Sequence, residues 1–337
     1  MRISDFFNAK QSLAGPYGRQ YAALWSGTRR ACEGGKKFRP ALVVNAYHAL
    51  GGKHDEDVVV VATAFELLHT AFLLHDDVID GDTMRRGQPN LLGAFSAHAA
   101  DRGVNAASAT VWGEASAILA GDLLIHAAQA QIARLDIAAG TRCALLELLE
   151  ECMFVTAAGE LADVAFSTTV ELPVFSEVLS MTQWKTAHYS FQAPLRAGAI
   201  LAGAGEVALT ALGEYGRHIG IAFQLRDDIL GIFGAEDVTG KSTTSDLREH
   251  KMTALMCYAL QRDDTGELHE ILGRERVTDS DLQRVKNILA GGARAFIETL
   301  IADQTQLAIA AIDSSAIPAG LGEQLVDVAR KACERAS

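Results

Sequence analysis

Three observations in the sequence predict an all-α chain. The long apolar run from Val58 to Leu74 reads as a buried helix, and no stretch of any length alternates apolar with polar residues as a strand would. Proline is scarce, six in 337 residues, while Ala, Leu, Glu and Gln are plentiful, a composition that favours helix. Apolar residues make up 49% of the chain, ample for a sizeable core, and no repeat or linker interrupts it. The expectation is one domain spanning residues 1–337.

The elements follow in order. Residues 4–32 form an opening helix carrying Phe6, Phe7, Tyr17, Tyr21 and Trp25. The turn Gly34-Gly35-Lys36-Lys37-Phe38-Arg39-Pro40 puts Lys36 in a loop and Arg39 at a helix start, because proline suits a first helical turn. That helix runs to residue 50, and the next spans 56–80. Residues 81–106 are a loop with a short helical piece. Helices follow at 108–134 and 140–165. Pro173 then breaks the pattern. A helix over 175–204 is kinked at Pro194. Another spans 206–233, a Gly-, Ser- and Thr-rich loop spans 234–250, and helices at 251–262, 278–290, 293–312 and 319–335 close the chain.

Charge and cysteine content narrow the function. A formal net charge of −12, with no basic stripe, argues against nucleic acid as a partner. The five cysteines (Cys32, Cys143, Cys152, Cys257 and Cys333) are scattered and odd in number, with no metal-ligand spacing, which predicts free thiols in a reducing cytoplasm. The opening MRISDFFNAK lacks the apolar core of a signal peptide. The longest apolar run, Val58 to Leu74, holds Glu66 and His69 and ends in acids, so it reads as a core helix and no membrane span is expected.

The chemistry concentrates in residues 69–89, HTAFLLHDDVIDGDTMRRGQP. The apolar run ends in Asp76, Asp77, Asp80 and Asp82, followed at once by Arg85 and Arg86. Asp76 and Asp80 are four residues apart, so a helix puts both carboxylates on one face, roughly 6 Å apart along the axis. Hard oxygen ligands at that spacing suit magnesium, which takes one or two carboxylates plus substrate phosphate oxygens. Arginine forks suit phosphate directly. A lone cluster of this kind is more often a charged helix end. A second one stands at Phe223-Gln224-Leu225-Arg226-Asp227-Asp228-Ile229-Leu230-Gly231, again at the end of an amphipathic helix and again followed by basic residues, Lys241 and Lys251.

With both clusters in view, the chain resembles the trans-isoprenyl diphosphate synthases, or polyprenyl synthetases. The resemblance rests on GGKKFRP, HTAFLLHDDVIDGDTMRRGQP, GDLL at 121–124, WKTA at 184–187, FQLRDDILGIFG and GKSTTSDLREHK, in the family's order. It looks most like the short-chain prokaryotic geranylgeranyl diphosphate synthases. The resemblance implies a bundle of long helices around a deep central cavity, usually as a homodimer. It also implies magnesium-dependent head-to-tail condensation of isopentenyl diphosphate with dimethylallyl, geranyl or farnesyl diphosphate.

Roles follow position by position from that resemblance. Asp76, Asp80 and Asp227 would hold about three magnesium ions, with Asp77 and Asp228 orienting basic residues or metal waters behind them. Arg85, Lys185 and Lys241 would hold the allylic diphosphate, and Lys251 would steady the loop over it. Lys36, Arg39, His69 and Arg86 would hold isopentenyl diphosphate. Thr186 and Gln224 would turn side-chain oxygens toward the allylic cation. Gly231 departs from the family, whose second motif usually ends in Asp. Chain length should depend on Ala71 and Phe72, five and four residues before Asp76. A bulky residue at either place shortens the product in the family. Ala71 leaves room and Phe72 narrows it, which points to fifteen or twenty carbons, and the overall resemblance favours twenty. The rival functions are a farnesyl diphosphate synthase, a non-catalytic partner subunit and a class I terpene cyclase. The second DD and the GGKKFRP turn count against the cyclase.

Overall fold

The computed structural model describes residues 2–168, 173–234, 251–274 and 278–334. It is helical almost throughout. Helix α1 (Ile3–Ala14) and helix α2 (Arg19–Cys32) stand where one opening helix was expected. Pro16 has no N–H to continue α1, and Gly18 at φ 101° redirects the chain. Phe6, Phe7 and Trp25 meet edge-to-face across the break, with centroids 5.1 to 6.4 Å apart.

Helix α3 (Phe38–Ala49) carries Pro40 in its first turn, and α4 (Asp55–Ile79) opens with Asp55, Glu56 and Asp57, which favour a helix N-terminus. Helix α4 is long and apolar enough to cross a membrane, yet 67% of its most apolar window is buried inside the protein. That is the pattern of a core helix. After it, β1 (Met84–Arg85) and β2 (Gln88–Pro89) form a minimal antiparallel hairpin where the sequence suggested only loop. Its two turn residues, Arg86 and Gly87, have φ of 54° and 71°, the left-handed geometry that tight hairpins require. Strands of two residues are too short for alternation to reveal them.

Helices α5 (Leu91–Ala100), α6 (Ala106–Ala133) and α7 (Ala139–Thr168) follow, the first two capped by Asn90 and Asn105. Where one kinked helix was expected over 175–204, the chain forms α8 (Phe175–Thr182), a π segment (Gln183–Gln192) and α9 (Ala193–Ala202). Pro194 gives a physical reason for the wider register. It offers no N–H to the preceding turn, and its ring crowds the carbonyl four residues back. The neighbours make room for the wide coil. A Cβ on Gly159 of α7 would fall 2.2 Å from the Lys185 backbone nitrogen. On α10 (Glu206–Phe233), a Cβ at Gly216 would fall 2.5 Å from Gln192 Cα, and one at Gly220 2.4 Å from Ala187 Cβ.

Helices α11 (Ala254–Leu260), α12 (Glu267–Leu272), α13 (Asp279–Leu289), α14 (Gly292–Ala311) and α15 (Ala319–Glu334) complete the described chain. Helix α12 was not anticipated, since six residues carry too little periodicity to read. Most of the loop expected at 234–250, with Lys241 in it, lies outside the described residues. Contacts divide the chain into two compact units, residues 1–149 with 197–203, and residues 150–196 with 204–337. In the second, Tyr215 on α10 donates its buried hydroxyl to the Leu325 carbonyl of α15 at 2.7 Å.

Candidate active site

The first unit gathers one set of predicted residues at the end of α4. Asp80 caps the helix and its N–H donates to the Asp76 carbonyl at 2.8 Å. The carboxylates of Asp76 and Asp80 therefore sit on the final turn, where the negative end of the helix dipole adds to their pull on a cation. Asp77, between them, is buried. Arg85, on the hairpin, ties the cluster together. Its Nε and Nη2 donate to Asp77 Oδ1 at 2.8 and 2.6 Å, and Nη2 also donates to Asp76 Oδ2 at 3.0 Å. Burial pushes the Asp77 carboxyl above the ordinary carboxylate range, while Arg85 and Asn90 pull it down. Burial likewise opposes the charge on Arg85, but Asp77 and Asp76 outweigh it and raise the guanidinium's pKa.

A second feature of this unit is a convergence of cations. His69 lies on α4, and desolvation holds its imidazole well below the ordinary value, reinforced by Arg39, Lys37, Arg85 and Arg86. The ring is therefore neutral at pH 7. Arg39 is buried at the start of α3, its guanidinium 4.5 Å over the Phe38 ring. Arg86 lies against the Gly34–Gly35 turn, since a Cβ at Gly35 would fall 2.9 Å from its Nη2. Both glycines have positive φ, 85° and 69°. Lys36, next along, is exposed. The only non-glycine residues at positive φ among the described residues are Lys37 and Arg86, at 47° and 54°, and both belong to this cluster. Strained backbone of this kind concentrates at functional sites. Three arginines, Arg39, Arg85 and Arg86, around a neutral imidazole suit a polyanion such as a diphosphate.

The second unit presents another set. Lys185 lies in the π segment's first turn and is held by two carboxylates of α7, Glu160 at 3.0 Å and Asp163 at 2.7 Å. Thr186, beside it, is half-buried. On α10, Gln224 Nε2 donates to Asp228 Oδ1 at 2.8 Å, which leaves the amide oxygen as the opposite end of the same group. Asp227, Asp228 and Gly231 are half-buried on the same helix. Lys251 precedes α11, and its carbonyl accepts the Thr253 N–H at 2.9 Å. Lys241 lies outside the described residues.

The sequence reading overlooked Glu160, Asp163, Lys37, Glu66 and Asn90. Glu160 and Asp163 carried a signal, because acids three apart on a helix share a face. Asn90 donates to the Asp82 carbonyl at 2.7 Å and so fastens the hairpin to the end of α4. Nothing in its type or spacing marked it.

The donor set fits a divalent ion. Asp76 and Asp80 offer hard carboxylate oxygens one helical turn apart. Among the described residues no three His, Cys, Asp or Glu side chains converge as a protein-only metal cage. Magnesium needs no such cage, because it completes its shell with water and substrate oxygens.

The family model described as polyprenyl synthetase matches residues 27–289. A short chain isoprenyl diphosphate synthase of Methanothermobacter thermautotrophicus is 34% identical over 268 residues, 80% of this chain and 72% of that protein. A (2E,6E)-farnesyl diphosphate synthase of Mycobacterium bovis is 32% identical over 308 residues, 89% of this chain and 80% of its own. The crystal structure of a geranylgeranyl pyrophosphate synthase from Corynebacterium glutamicum, complexed with isoprenyl diphosphate and magnesium, superposes with a TM-score of 0.92 at 28% identity, covering 99% of this chain and 97% of that one.

Proposed function

The chain belongs to the polyprenyl synthetase family, and on that premise we propose that it makes geranylgeranyl diphosphate with magnesium, as a homodimer. It is a prenyltransferase that condenses isopentenyl diphosphate with an allylic diphosphate into a short all-trans product. Its all-α fold is that of the geranylgeranyl synthases it superposes on.

The observation that carries the site assignment is the lattice at the end of α4, in which Arg85 bridges Asp76 and Asp77 beside the cations around His69. Asp76, Asp80 and Asp227 are the residues that would hold magnesium, about three ions by family resemblance. The ions would supply positive charge to the departing diphosphate. Asp77 keeps Arg85 aimed at the allylic diphosphate, which Lys185, Lys241 and Lys251 also hold. Asp228 fixes the Gln224 amide so that its oxygen, with that of Thr186, faces the allylic cation. Lys36, Arg39, His69 and Arg86 hold isopentenyl diphosphate with its double bond toward that cation. Attack forms the new carbon–carbon bond, and the released pyrophosphate takes the proton. Placing these groups before reaction is the main source of rate, because dipoles fixed in advance need not reorganise.

Twenty carbons is the proposed product, with fifteen as the alternative. Phe72 is half-buried on the Asp76 face of α4, whereas Ala71 is wholly buried. Phe72 is therefore the better placed to meet a growing chain.

Two apolar stripes support the homodimer. On α6, Val111, Ile118 and Leu119 share an exposed face, and on α7 Phe154 is 80% exposed, with Leu161 seven residues on. The free thiols of Cys32, Cys143, Cys152 and Cys257 suit a cytoplasmic location. The metal assignment is tested by titrating magnesium into wild type and Asp76→Asn, Asp80→Asn and Asp227→Asn variants. Each variant should lose roughly 10²-fold or more in kcat, as losses of transition-state electrostatic groups do. A folded variant with wild-type kcat at the wild-type magnesium concentration removes that residue from the metal site.

A further inference from the structure

The turn that leads into α3 holds two lysines, and the structure separates their roles. Lys36 is exposed, whereas the Lys37 ammonium reaches back to α4 and sits 2.6 Å from Glu66 Oε1, donating as well to the Cys32 carbonyl at the end of α2. The Glu66 side chain is only 6% exposed, three residues before His69 and ten before Asp76. An ionised carboxylate so placed needs a partner, since burying it alone is costly. Left uncompensated, it would also repel a diphosphate held by the cations around His69.

Lys37 adopts φ 47° and ψ 38°, a left-handed conformation uncommon outside glycine, at the N-cap of α3. Its side chain makes no capping bond to α3. The strained backbone is instead held by the contact with Glu66 and Cys32. Three elements meet at one ammonium: the end of α2, the turn itself and the interior of α4. Lys36 precedes that ammonium by one residue and Arg39 follows it by two, so both cations are set by where Lys37 is fastened. On its other side the turn is bounded by Arg86, the second left-handed non-glycine residue.

We propose that Lys37 and Glu66 are a positioning pair for the isopentenyl diphosphate half of the reaction. Lys37 touches no substrate. It cancels the buried charge of Glu66 and fixes the Gly34–Arg39 turn so that Lys36, Arg39 and Arg86 face one diphosphate. This inference rests on the isopentenyl diphosphate site proposed above.

The test measures kcat, both KM values and the melting temperature for Lys37→Met, Glu66→Gln, Lys37→Arg and the Lys37→Met/Glu66→Gln double variant, with geranyl diphosphate as the allylic substrate. Lys37→Met should raise KM for isopentenyl diphosphate about tenfold or more, while KM for geranyl diphosphate stays within about twofold. Glu66→Gln keeps a hydrogen-bond acceptor and should show a smaller rise in the same KM alone. Lys37→Arg should restore most of the affinity. The double variant should regain melting temperature relative to Lys37→Met, because the unpaired carboxylate is gone, yet keep the high KM for isopentenyl diphosphate. If KM in the double variant recovers along with melting temperature, the pair is a stabilising contact and the proposal fails. Equal changes in both KM values, or none in folded protein, also overturn it. Should Lys37→Met not fold, Glu66→Gln decides by the same KM comparison. A wild-type chain that does not turn over isopentenyl diphosphate overturns the proposed function itself, and the pair's assignment with it.

Discussion

Gly159→Ala would open the contact between α7 and the π segment. The added methyl would lie 2.2 Å from the Lys185 nitrogen and 2.7 Å from both Lys185 Cα and Trp184 C, all backbone atoms that cannot rotate away. Ordinary van der Waals contact begins at 3.4 Å, so the two elements must separate by about 1.2 Å at that point. Overpacking of this kind typically costs about 1–3 kcal/mol of stability. The larger effect falls on chemistry, because Lys185 is the residue displaced. It would be drawn away from Glu160 and Asp163, which now hold it at 3.0 and 2.7 Å. A misplacement on the order of 1 Å can cost roughly 10²-fold in rate. The expected outcome is a folded variant with kcat lowered about 10²-fold and KM for isopentenyl diphosphate nearly unchanged, read by steady-state kinetics beside circular dichroism and melting temperature. A folded Gly159→Ala protein with kcat within twofold of wild type would refute the reasoning that the close approach of Gly159 sets the position of Lys185.

Other predictions follow from the same geometry. Phe72→Ala should lengthen the product by about one isoprene unit, since one helical turn of 5.4 Å is on the order of that unit. Ala71→Phe should shorten it, although Ala71 is wholly buried and the variant needs a stability check; unchanged alcohol lengths in both after dephosphorylation would place the floor elsewhere. His69 is held neutral in the folded chain, so as pH falls below the unfolded imidazole value of about 6.5 the unfolded state takes up the proton first. Stability should therefore decline between about pH 7.5 and 5.5, by up to about 1.4 kcal/mol per pH unit, and His69→Gln should flatten that slope in thermal denaturation. An identical slope in the variant would contradict the burial and charge argument. Tyr215→Phe removes the bond to the Leu325 carbonyl and should cost about 1 kcal/mol with no change in kcat; a melting temperature equal to wild type would show that the bond contributes nothing.

Sequence periodicity located the long helices well, because α4 and α10 bury continuous faces over many turns and carry their aspartates in their last two turns. It failed where tertiary packing overrides local pattern. Nothing local shows that Gly159, Gly216 and Gly220 come from two helices to admit one π segment, so a proline kink was the natural expectation at Pro194. The break at Gly15-Pro16 was readable in principle, and the aromatics on either side hid it by continuing the apolar pattern. The acid and arginine clusters were legible because two carboxylates four apart at the end of an apolar run are conspicuous. Their supports were not. Glu66 looks like an ordinary charge within an apolar helix until Lys37 is found 2.6 Å away, and Glu160 and Asp163 look like solvated acids until Lys185 arrives from another element.

The most direct test of the account is the product itself. The purified chain is incubated with isopentenyl diphosphate, magnesium and dimethylallyl, geranyl or farnesyl diphosphate in turn, and the alcohols are measured after dephosphorylation. The account predicts a linear all-trans twenty-carbon alcohol, formed only when magnesium is present. A fifteen-carbon product would make Phe72 the floor of the site and the chain a farnesyl diphosphate synthase. A cyclised hydrocarbon, or no elongation from any starter, would contradict the assignment of the two aspartate clusters to condensation.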